Sequence, residues 1–302
     1  MKAYPNNQNC SYPRLCAHRG LNMAAPENTL PAFTLAVAMG AQEIELDLWL
    51  SKDGHLIVCH DPSVDRTSNG TGFIKDLTLK EIKGLDAGGW FSSSFKGVTC
   101  PLFEEVLDLV AGKTIINIHI KSPAINYPKP EKMKNRSIVL RERHMNHQII
   151  MPPLEEGQED ILPEVENRPW VPYSQTDFQK ILDALDVYNS RPYVYITGEA
   201  DVLFTAREMA PNLARCCLEG HMNYTIVDHA VEYGCQKVQF CKGLTTMTMI
   251  NKAKEHGLTC NLFWADDVEE AKAYLDLGID CILTNNFQTI RAGLVNLENH
   301  AK

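Results

Sequence analysis

Charged and polar side chains alternate with aliphatic ones along two short runs of the sequence, residues 43–48 (EIELDL) and 115–121 (IINIHIK). Successive side chains of a β-strand point to opposite faces, so each run predicts a strand with one polar and one apolar face. Burying charges is costly unless they are paired or bind a metal, and clusters of titratable groups often mark functional sites. We interpret the polar faces as a site, and a purely structural ion-pair network is the alternative. These faces contain Glu43, Glu45 and Asp47 on the first run and Asn117, His119 and Lys121 on the second.

Another polar group, His18-Arg19-Gly20, ends a third strand-like run, residues 14–18 (RLCAH). The planar guanidinium of an arginine offers two parallel donors to a phosphate, and histidine is the usual general acid or base near neutral pH. A single histidine at a strand end is often only solvated, so the meaning of this motif depends on the fold. The motif becomes part of a candidate site if the fold brings it beside the polar faces of residues 43–48 and 115–121.

Strand-like and helix-like segments alternate along the chain, which predicts parallel strands joined by helical crossovers. Glycines follow the helix-like runs, as expected at helix ends. Eight such strands are the number that a (β/α)8 TIM barrel requires, and in that α/β fold the catalytic face lies at the carboxyl ends of the strands. The predicted strands are 14–18, 43–48, 115–120, 193–197, 214–218, 237–240, 259–263 and 281–284, and the predicted helices include 28–39, 102–111, 199–209, 245–256 and 267–277.

A ninth strand-like run, residues 55–60 (HLIVCH), follows the second strand after Lys52-Asp53-Gly54. The Asp-Gly pair is typical of two-residue hairpins, and a hairpin partner cannot itself be a parallel barrel strand. We therefore predict that residues 48–60 form a β-ribbon at the mouth of the barrel.

Two segments are longer than ordinary loops. Residues 61–101 predict a small subdomain inserted after the strand 2 ribbon, and residues 122–173 predict a long insertion after strand 3 that narrows the site as a lid or rim. Both leave the barrel on its predicted catalytic face. The whole chain, residues 1–302, is interpreted as a single TIM-barrel domain.

Composition excludes several classes of protein. The content of 44% hydrophobic and 22% charged residues is that of a globular protein, and no apolar run approaches the roughly 20 residues of a membrane helix. The net charge of −9 disfavours nucleic acid as a partner. The ten cysteines form no pair of CxxC elements, and the first ten residues lack the apolar stretch of a secretory signal. Both observations favour a cytoplasmic protein.

Three longer runs resemble the glycerophosphodiester phosphodiesterase family: CAHRGLNMAAPENTLPAF, EIELDLWLSKDGHLIVCHDPSVDRTSNGTG and DLTLKEIKGLDAG. The motifs HRG, PENT, E-x-D, DG followed by a strand and HD, and a later I-x-I-K strand occur in the family's order. The resemblance is dense over residues 14–121 and returns more faintly at 259–285. It implies a TIM barrel with a small insertion after the HD motif, which agrees with the architecture predicted from the pattern.

The resemblance also implies a role for each matching position. Two histidines would be an acid–base pair, basic side chains would bind the phosphate, carboxylates would bind a divalent metal, usually calcium or magnesium, and the PENT glutamate would orient the site. The corresponding residues are His18 and His60, Arg19 and Lys121, Glu45 and Asp47, and Glu27.

The sequence departs from the family pattern in three places. His119 stands where the family has a metal-binding Glu, Thr284-Asn285 replaces Thr-Asp, and Trp264-Ala265 replaces Trp-Thr. We expect His119 to complete the metal site, and a nitrogen ligand should move the preference toward manganese or zinc. Alternatively, a protonated His119 lies against the phosphate. Trp264 is a candidate to pack against the glycerol or headgroup, and a core position is its alternative.

Together these inferences predict metal-dependent hydrolysis of a small-molecule glycerophosphodiester to glycerol 3-phosphate and an alcohol. Two alternatives remain open. In one, an internal hydroxyl attacks and a cyclic phosphate is released, as in phospholipase-like barrels. In the other, the protein is a metal-poor relative that binds headgroups without turnover.

Overall fold

The computed structural model describes residues 12–122, 171–219 and 225–300, with side chains as far as residue 294. Eight strands run parallel and form a closed barrel, because the first strand pairs with both the second and the last. The predicted (β/α)8 barrel is therefore confirmed. The strands are β1 (Arg14–Ala17), β2 (Glu43–Leu50), β3 (Leu56–Val58), β4 (Ile115–Ile120), β5 (Val194–Gly198), β6 (Ala214–Cys217), β7 (Lys237–Cys241), β8 (Thr259–Phe263) and β9 (Cys281–Thr284).

Strand β3 is the one described strand outside the barrel. It pairs antiparallel with the end of β2, from Leu48 opposite Val58 to Leu50 opposite Leu56, and so forms the predicted ribbon. The turn is one residue longer than the two-residue hairpins of which the Asp-Gly pair is typical. The Ser51 amide donates to the His55 carbonyl at 2.9 Å, which leaves three residues in the turn. Gly54 takes the left-handed conformation (φ +79°) that a three-residue hairpin turn requires.

Helices connect the strands and cover the outside of the barrel. Several begin at a side-chain cap that the sequence supplies; for example, Thr29 accepts from the Ala32 amide and Thr246 from the Met249 amide. Their apolar faces pack on the aliphatic face of the sheet, where Ile44, Leu46 and Ile118 are fully buried. Within the described residues the helices are α1 (Leu30–Ala38), α2 (Leu79–Lys83), α3 (Phe103–Val110), α4 (Gln175–Val187), α5 (Ala200–Met209), α6 (Ile226–Glu232), α7 (Met247–Glu255), α8 (Val268–Asp276) and α9 (Phe287–His300).

The interior of the barrel is polar near its amino-terminal end. Arg14 donates to Glu43 at 2.8 Å, with both side chains fully buried. The Tyr195 hydroxyl donates to the other Glu43 oxygen at 3.0 Å and accepts from Asn261 at 2.9 Å. Glu43 is thus fully engaged in a structural ion pair, and the structural alternative that we considered for the polar faces holds for this residue.

The inserted residues 61–101 contain α2 and pack on the ribbon through a small apolar cluster that includes Trp49, Ile57, Ile74 and Ile82. Most of the predicted insertion 122–173, and with it the predicted lid, lies outside the described residues. The single-domain organisation stays a prediction. Among the described helices, none combines the length and the apolar character needed to cross a membrane.

Candidate active site

Polar side chains from the first three barrel strands meet at the carboxyl end of the barrel. Asp47 on β2 lies opposite His119 on β4 in the sheet register, and Glu45 lies opposite Asn117. Because β1 pairs with the beginning of β2, His18 emerges from β1 close to Glu45, and its Nε2 lies 3.8 Å from a Glu45 oxygen. Strand alternation had predicted the shared polar face for the residues of β2 and β4, and His18, as the end of the first strand, was predicted at the same end of the barrel.

Asp47 is the centre of this cluster. Its Oδ1 lies 2.8 Å from Lys121 Nζ and 3.2 Å from His119 Nδ1, while its Oδ2 accepts from Asn28 at 2.9 Å. Burial alone would raise the pKa of Asp47, but the nearby Lys121 charge and further cationic neighbours hold it well below its usual range. Despite these neighbours, Oδ1 is buried and receives no well-aligned hydrogen bond among the described residues. A buried carboxylate oxygen left in this way can accept a further ligand.

Glu45 is the second buried carboxylate of the cluster. One of its oxygens accepts from the backbone amide of Arg19 at 3.1 Å. Burial and the adjacent Asp47 charge raise the pKa of Glu45 well above its usual range. A divalent cation between the two carboxylates would remove this repulsion. Glu45, Asp47 and His119 each offer one ligand atom, and these three atoms lie within 4.8 Å of one another.

Arg19 is held in a left-handed backbone conformation, with φ of 56°. Its backbone carbonyl accepts from the Asn28 amide at 3.0 Å, and its Nη1 donates to Glu27 at 2.9 Å. The Nε atom lies 3.7 Å from Asp47 and is buried without a hydrogen-bond acceptor among the described residues. Arg19 Nε and Asp47 Oδ1 are therefore candidate contacts for a ligand.

The two histidines have different partners. The Nδ1 atom of His18 lies 2.8 Å from the amide oxygen of Asn285, whereas Nδ1 of His60 lies 2.7 Å from a carboxylate oxygen of Asp61. Burial and the Arg19 charge lower the pKa of His18 to about 4. Burial and the charges of Lys121 and Arg19 lower the pKa of His60 as well. These shifts favour the neutral form of both rings.

Sequence reasoning missed Arg66, which connects the barrel to the inserted subdomain. Its guanidinium donates to both oxygens of Glu27, at 2.7 and 2.9 Å, and to both oxygens of Asp61, at 2.6 and 3.1 Å. These two carboxylates are also the partners of Arg19 and His60, so Arg66 is linked to both site residues through them. The resemblance had included Arg66 in the run HDPSVDRTSNGTG, but no periodic pattern shows which residues an arginine in a loop contacts.

The remaining candidates lie on the same rim. Trp264 follows β8 with φ of 78°, and its ring packs edge-on against Phe263 at 4.9 Å and against Cys241 and Leu244. Asn28 of the PENT motif, which we had not assigned, contributes the hydrogen bond to Asp47. The structure thus brings His18, Arg19, Glu27, Glu45, Asp47, His60, His119 and Lys121 into one connected polar group, and it places Trp264 on the neighbouring part of the barrel mouth.

Known sequences are similar to the segment of the chain that contains most of the polar group at the barrel mouth. Residues 18–152 match the sequence model of the glycerophosphoryl diester phosphodiesterase family. A glycerophosphodiester phosphodiesterase of Caldanaerobacter subterraneus is 50% identical over 123 residues, which are 40% of this chain and 51% of that protein. One from Bacillus subtilis is 44% identical over 124 residues, 38% of this chain and 42% of that protein. The chain therefore aligns with about half the length of these curated relatives.

Comparison with solved structures extends the similarity to the whole fold. A phosphodiesterase of Oleispira antarctica, solved with the product sn-glycerol-3-phosphate, superposes with a TM-score of 0.71 at 20% identity, covering 94% of this chain and 97% of that one. A glycerophosphodiester phosphodiesterase of Agrobacterium tumefaciens gives 0.65 at 22% identity, covering 92% and 99%. At these identities the similarity shows the fold. The motif-bearing segment, residues 18–152, thus matches the glycerophosphoryl diester phosphodiesterase family in sequence, and the barrel matches these phosphodiesterases in fold.

Proposed function

We propose that the protein hydrolyses glycerophosphodiesters to sn-glycerol 3-phosphate and an alcohol. The observation that carries the proposal is a pair of atoms at the barrel mouth. The Arg19 Nε donor has no acceptor among the described residues, and Asp47 Oδ1, 2.8 Å from Lys121 Nζ, receives no well-aligned hydrogen bond there. The family match and the names of the sequence relatives support the same reaction. The product bound to the Oleispira antarctica enzyme is the one that this reaction would release.

The first requirement of the reaction is neutralisation of the phosphodiester anion, which otherwise repels a nucleophile. The buried Arg19 Nε has no acceptor among the described residues and can donate to a phosphate oxygen, and Lys121 contacts the other oxygen of Asp47. Cationic groups that are already in place stabilise the charge that develops on the phosphoryl oxygens. Glu27 accepts from Arg19 Nη1 at 2.9 Å and so restrains the guanidinium.

The second requirement is proton transfer at both the attacking and the leaving oxygen. His18 and His60 come from different elements, one after β1 and the other after β3. We assign His18 as the base, because its amide partner gives a charged ring no counter-ion. We assign His60 as the acid, because the Asp61 carboxylate stabilises a protonated imidazole once the substrate is bound.

The residues present also fit a divalent cation. Glu45, Asp47 and His119 would hold it, since their ligand atoms converge and the Asp47 Oδ1 atom lacks a well-aligned partner. When bound, such an ion would polarise the phosphoryl group and add positive charge to the site. Lys121 and the His119 ring contact the same Asp47 oxygen, Oδ1, at 2.8 and 3.2 Å.

We expect the wild-type protein to bind Mn²⁺ or Zn²⁺ at least about tenfold more tightly than Ca²⁺, because an imidazole replaces a carboxylate in the ligand set. The His119→Glu variant should shift the preference toward Ca²⁺ or Mg²⁺. Titration calorimetry and the metal-dependent rise in melting temperature measure both effects without turnover. His256→Glu, on the exposed end of α7, is the matched control. Full activity in EDTA with no metal detectable in the protein would contradict this prediction.

The reaction itself is tested by following glycerophosphocholine with phosphorus NMR. Formation of glycerol 3-phosphate supports the proposal. Appearance of a cyclic phosphate before any glycerol 3-phosphate would show attack by the substrate's own hydroxyl. Tight binding of the substrate without any product, with every tested metal supplied, would identify a headgroup-binding protein.

Arg66→Ala is expected to lower kcat/KM by roughly tenfold, because second-layer partners of this kind typically change activity by about 10- to 100-fold. The melting temperature should change little, since the Arg66 side chain is 44% exposed. The matched control is Arg191→Ala, which removes another exposed arginine bound to a carboxylate, here Asp186. An equal loss of activity in the two variants would show that Arg66 has no specific role.

A further inference from the structure

Three polar side chains form a chain that begins at His18, on the side of its ring opposite Glu45. His18 contacts Asn285 just after β9, and Asn285 contacts Asp266 in the loop after β8. From this chain we infer that Asp266 and Asn285 are positioning residues that fix which ring nitrogen of His18 carries the proton. The inference rests on the proposed function of His18 as a base.

Asp266 is held in place by the end of β9. One of its oxygens accepts from the backbone amide of Asn285 at 2.7 Å and from the Thr284 hydroxyl at 2.8 Å. The other accepts from the side-chain amide nitrogen of Asn285 at 2.8 Å. Three donors from two consecutive residues therefore fix the position of this carboxylate.

The orientation of the Asn285 amide follows from this contact. An ionised carboxylate only accepts hydrogen bonds, so the group of Asn285 that faces Asp266 must be the NH₂. The amide oxygen must then point the other way, where Asn22 donates to it at 2.7 Å and His18 Nδ1 lies at 2.8 Å. Flipping the amide would set its NH₂ against two donors and its oxygen against a carboxylate.

The orientation of the Asn285 amide in turn determines the tautomer of His18. The Asn285 oxygen only accepts, so Nδ1 must carry a hydrogen, and in the neutral ring Nε2 is then left with its lone pair. Nε2 is the atom that faces the site, 3.8 Å from Glu45. A base needs this tautomer, because the other one would present an N–H to the attacking oxygen.

This chain needs an amide at position 285 and a carboxylate at position 266. Of these two groups, only the amide can accept from an imidazole on one side and donate to a carboxylate on the other. The departure from the Thr-Asp pattern at Thr284-Asn285 is thereby explained. An aspartate at 285 would serve His18 equally well but would repel Asp266, so the two positions are expected to change together.

The test begins with the wild-type protein, labelled with ¹⁵N-histidine, and with His18 assigned from the signal lost in His18→Gln. Long-range proton–nitrogen correlation spectra at pH 7 report which ring nitrogen carries the proton. We expect Nδ1–H as the dominant tautomer. A dominant Nε2–H tautomer would overturn the inference. This result does not depend on whether the variants at Asp266 and Asn285 fold.

Asp266→Asn offers Asn285 an NH₂ as well as an oxygen, so both amide orientations become possible. We expect a mixture of His18 tautomers, a fall in kcat of roughly 10- to 100-fold and little change in KM. Asp267→Asn is the control: this exposed neighbour caps α8 through the Glu270 amide, a role that asparagine also fills. An unchanged tautomer in Asp266→Asn would overturn the inference.

The double variant Asp266→Asn/Asn285→Asp separates positioning from a merely structural role. Asn285→Asp alone sets two carboxylates against each other and should lower kcat. Adding Asp266→Asn should restore both the Nδ1–H tautomer and most of kcat. Failure of this rescue would refute the coupling. If glycerophosphodiesters are not hydrolysed by the wild type, the proposed function fails, while the tautomer measurements still decide the inference.

Discussion

Replacing either His18 or His60 with alanine is expected to lower kcat on glycerophosphocholine by about a hundredfold or more. Loss of a general acid or base typically costs about 10²- to 10⁴-fold. Both rings lie in the polar group at the barrel mouth, and each has a fixed partner, Asn285 for His18 and Asp61 for His60. KM should change less than kcat, because Arg19 and Lys121 remain to bind the phosphate.

The two variants should also differ from each other. A substrate with a good leaving group, such as bis(p-nitrophenyl) phosphate, needs no acid, so it should restore much of the activity of His60→Ala and little of that of His18→Ala. His256→Ala, on the exposed end of α7, controls for the loss of an imidazole elsewhere. Near-normal turnover of glycerophosphocholine by either site variant would remove that histidine from the mechanism.

Asp47→Asn is expected to abolish detectable metal binding and to lower activity by at least about a hundredfold. Asp47 is fully buried, and Lys121, His119 and Arg19 surround it. A neutral amide would leave the lysine and arginine charges without their shared anion, so the melting temperature should fall as well. Activity, metal content and thermal unfolding are measured on the same preparation.

Asp108→Asn, on the exposed side of α3, provides the matched control for this substitution. It should leave metal content, activity and melting temperature close to those of the wild type. If Asp47→Asn retained both metal and activity, the candidate metal ligands would have to be sought elsewhere. If it lost metal but kept activity, Lys121 and Arg19 would be sufficient to neutralise the phosphodiester.

Much of the fold could be predicted because it follows local patterns. The aliphatic faces of the strands mark the barrel, and the Asp53-Gly54 pair correctly separated β3 from the parallel strands. The turn length could not be predicted, because the same dipeptide serves turns of two and three residues and Gly54 sits at the left-handed position of the longer one.

In the candidate site, too, some features could be predicted from the sequence and others could not. Alternation along two strands placed Glu45, Asp47, His119 and Lys121 on one face, and the structure brings them together. It also placed Glu43 there, but the partner that removes Glu43 from the site is Arg14, on a strand 29 residues earlier. Strand period determines the face of a side chain, whereas its partner depends on how the strands are arranged in the barrel.

Residues in loops were the ones that sequence reasoning missed. Arg66, Asp266 and Asn28 follow no period, and each acquires its role from a contact with another segment. The resemblance contained Arg66 and Asn28 within its motifs. It could not have indicated Asp266, because this carboxylate becomes meaningful only beside the amide of Asn285.

Closure of the barrel determines when the site can form during protein synthesis. Strand β1 pairs with β2 through two residue pairs but with β9 through four, and His18 contacts Asn285 across 267 residues of sequence. Contacts between distant parts of a chain form late, because the entropy of closing a long loop must first be overcome. On the ribosome, His18 is made 267 residues before Asn285, so it cannot reach its final place until β9 has emerged. Until then β1 presents an unpaired edge, and a nascent chain in this state is a ready target for chaperones or for pairing with another copy.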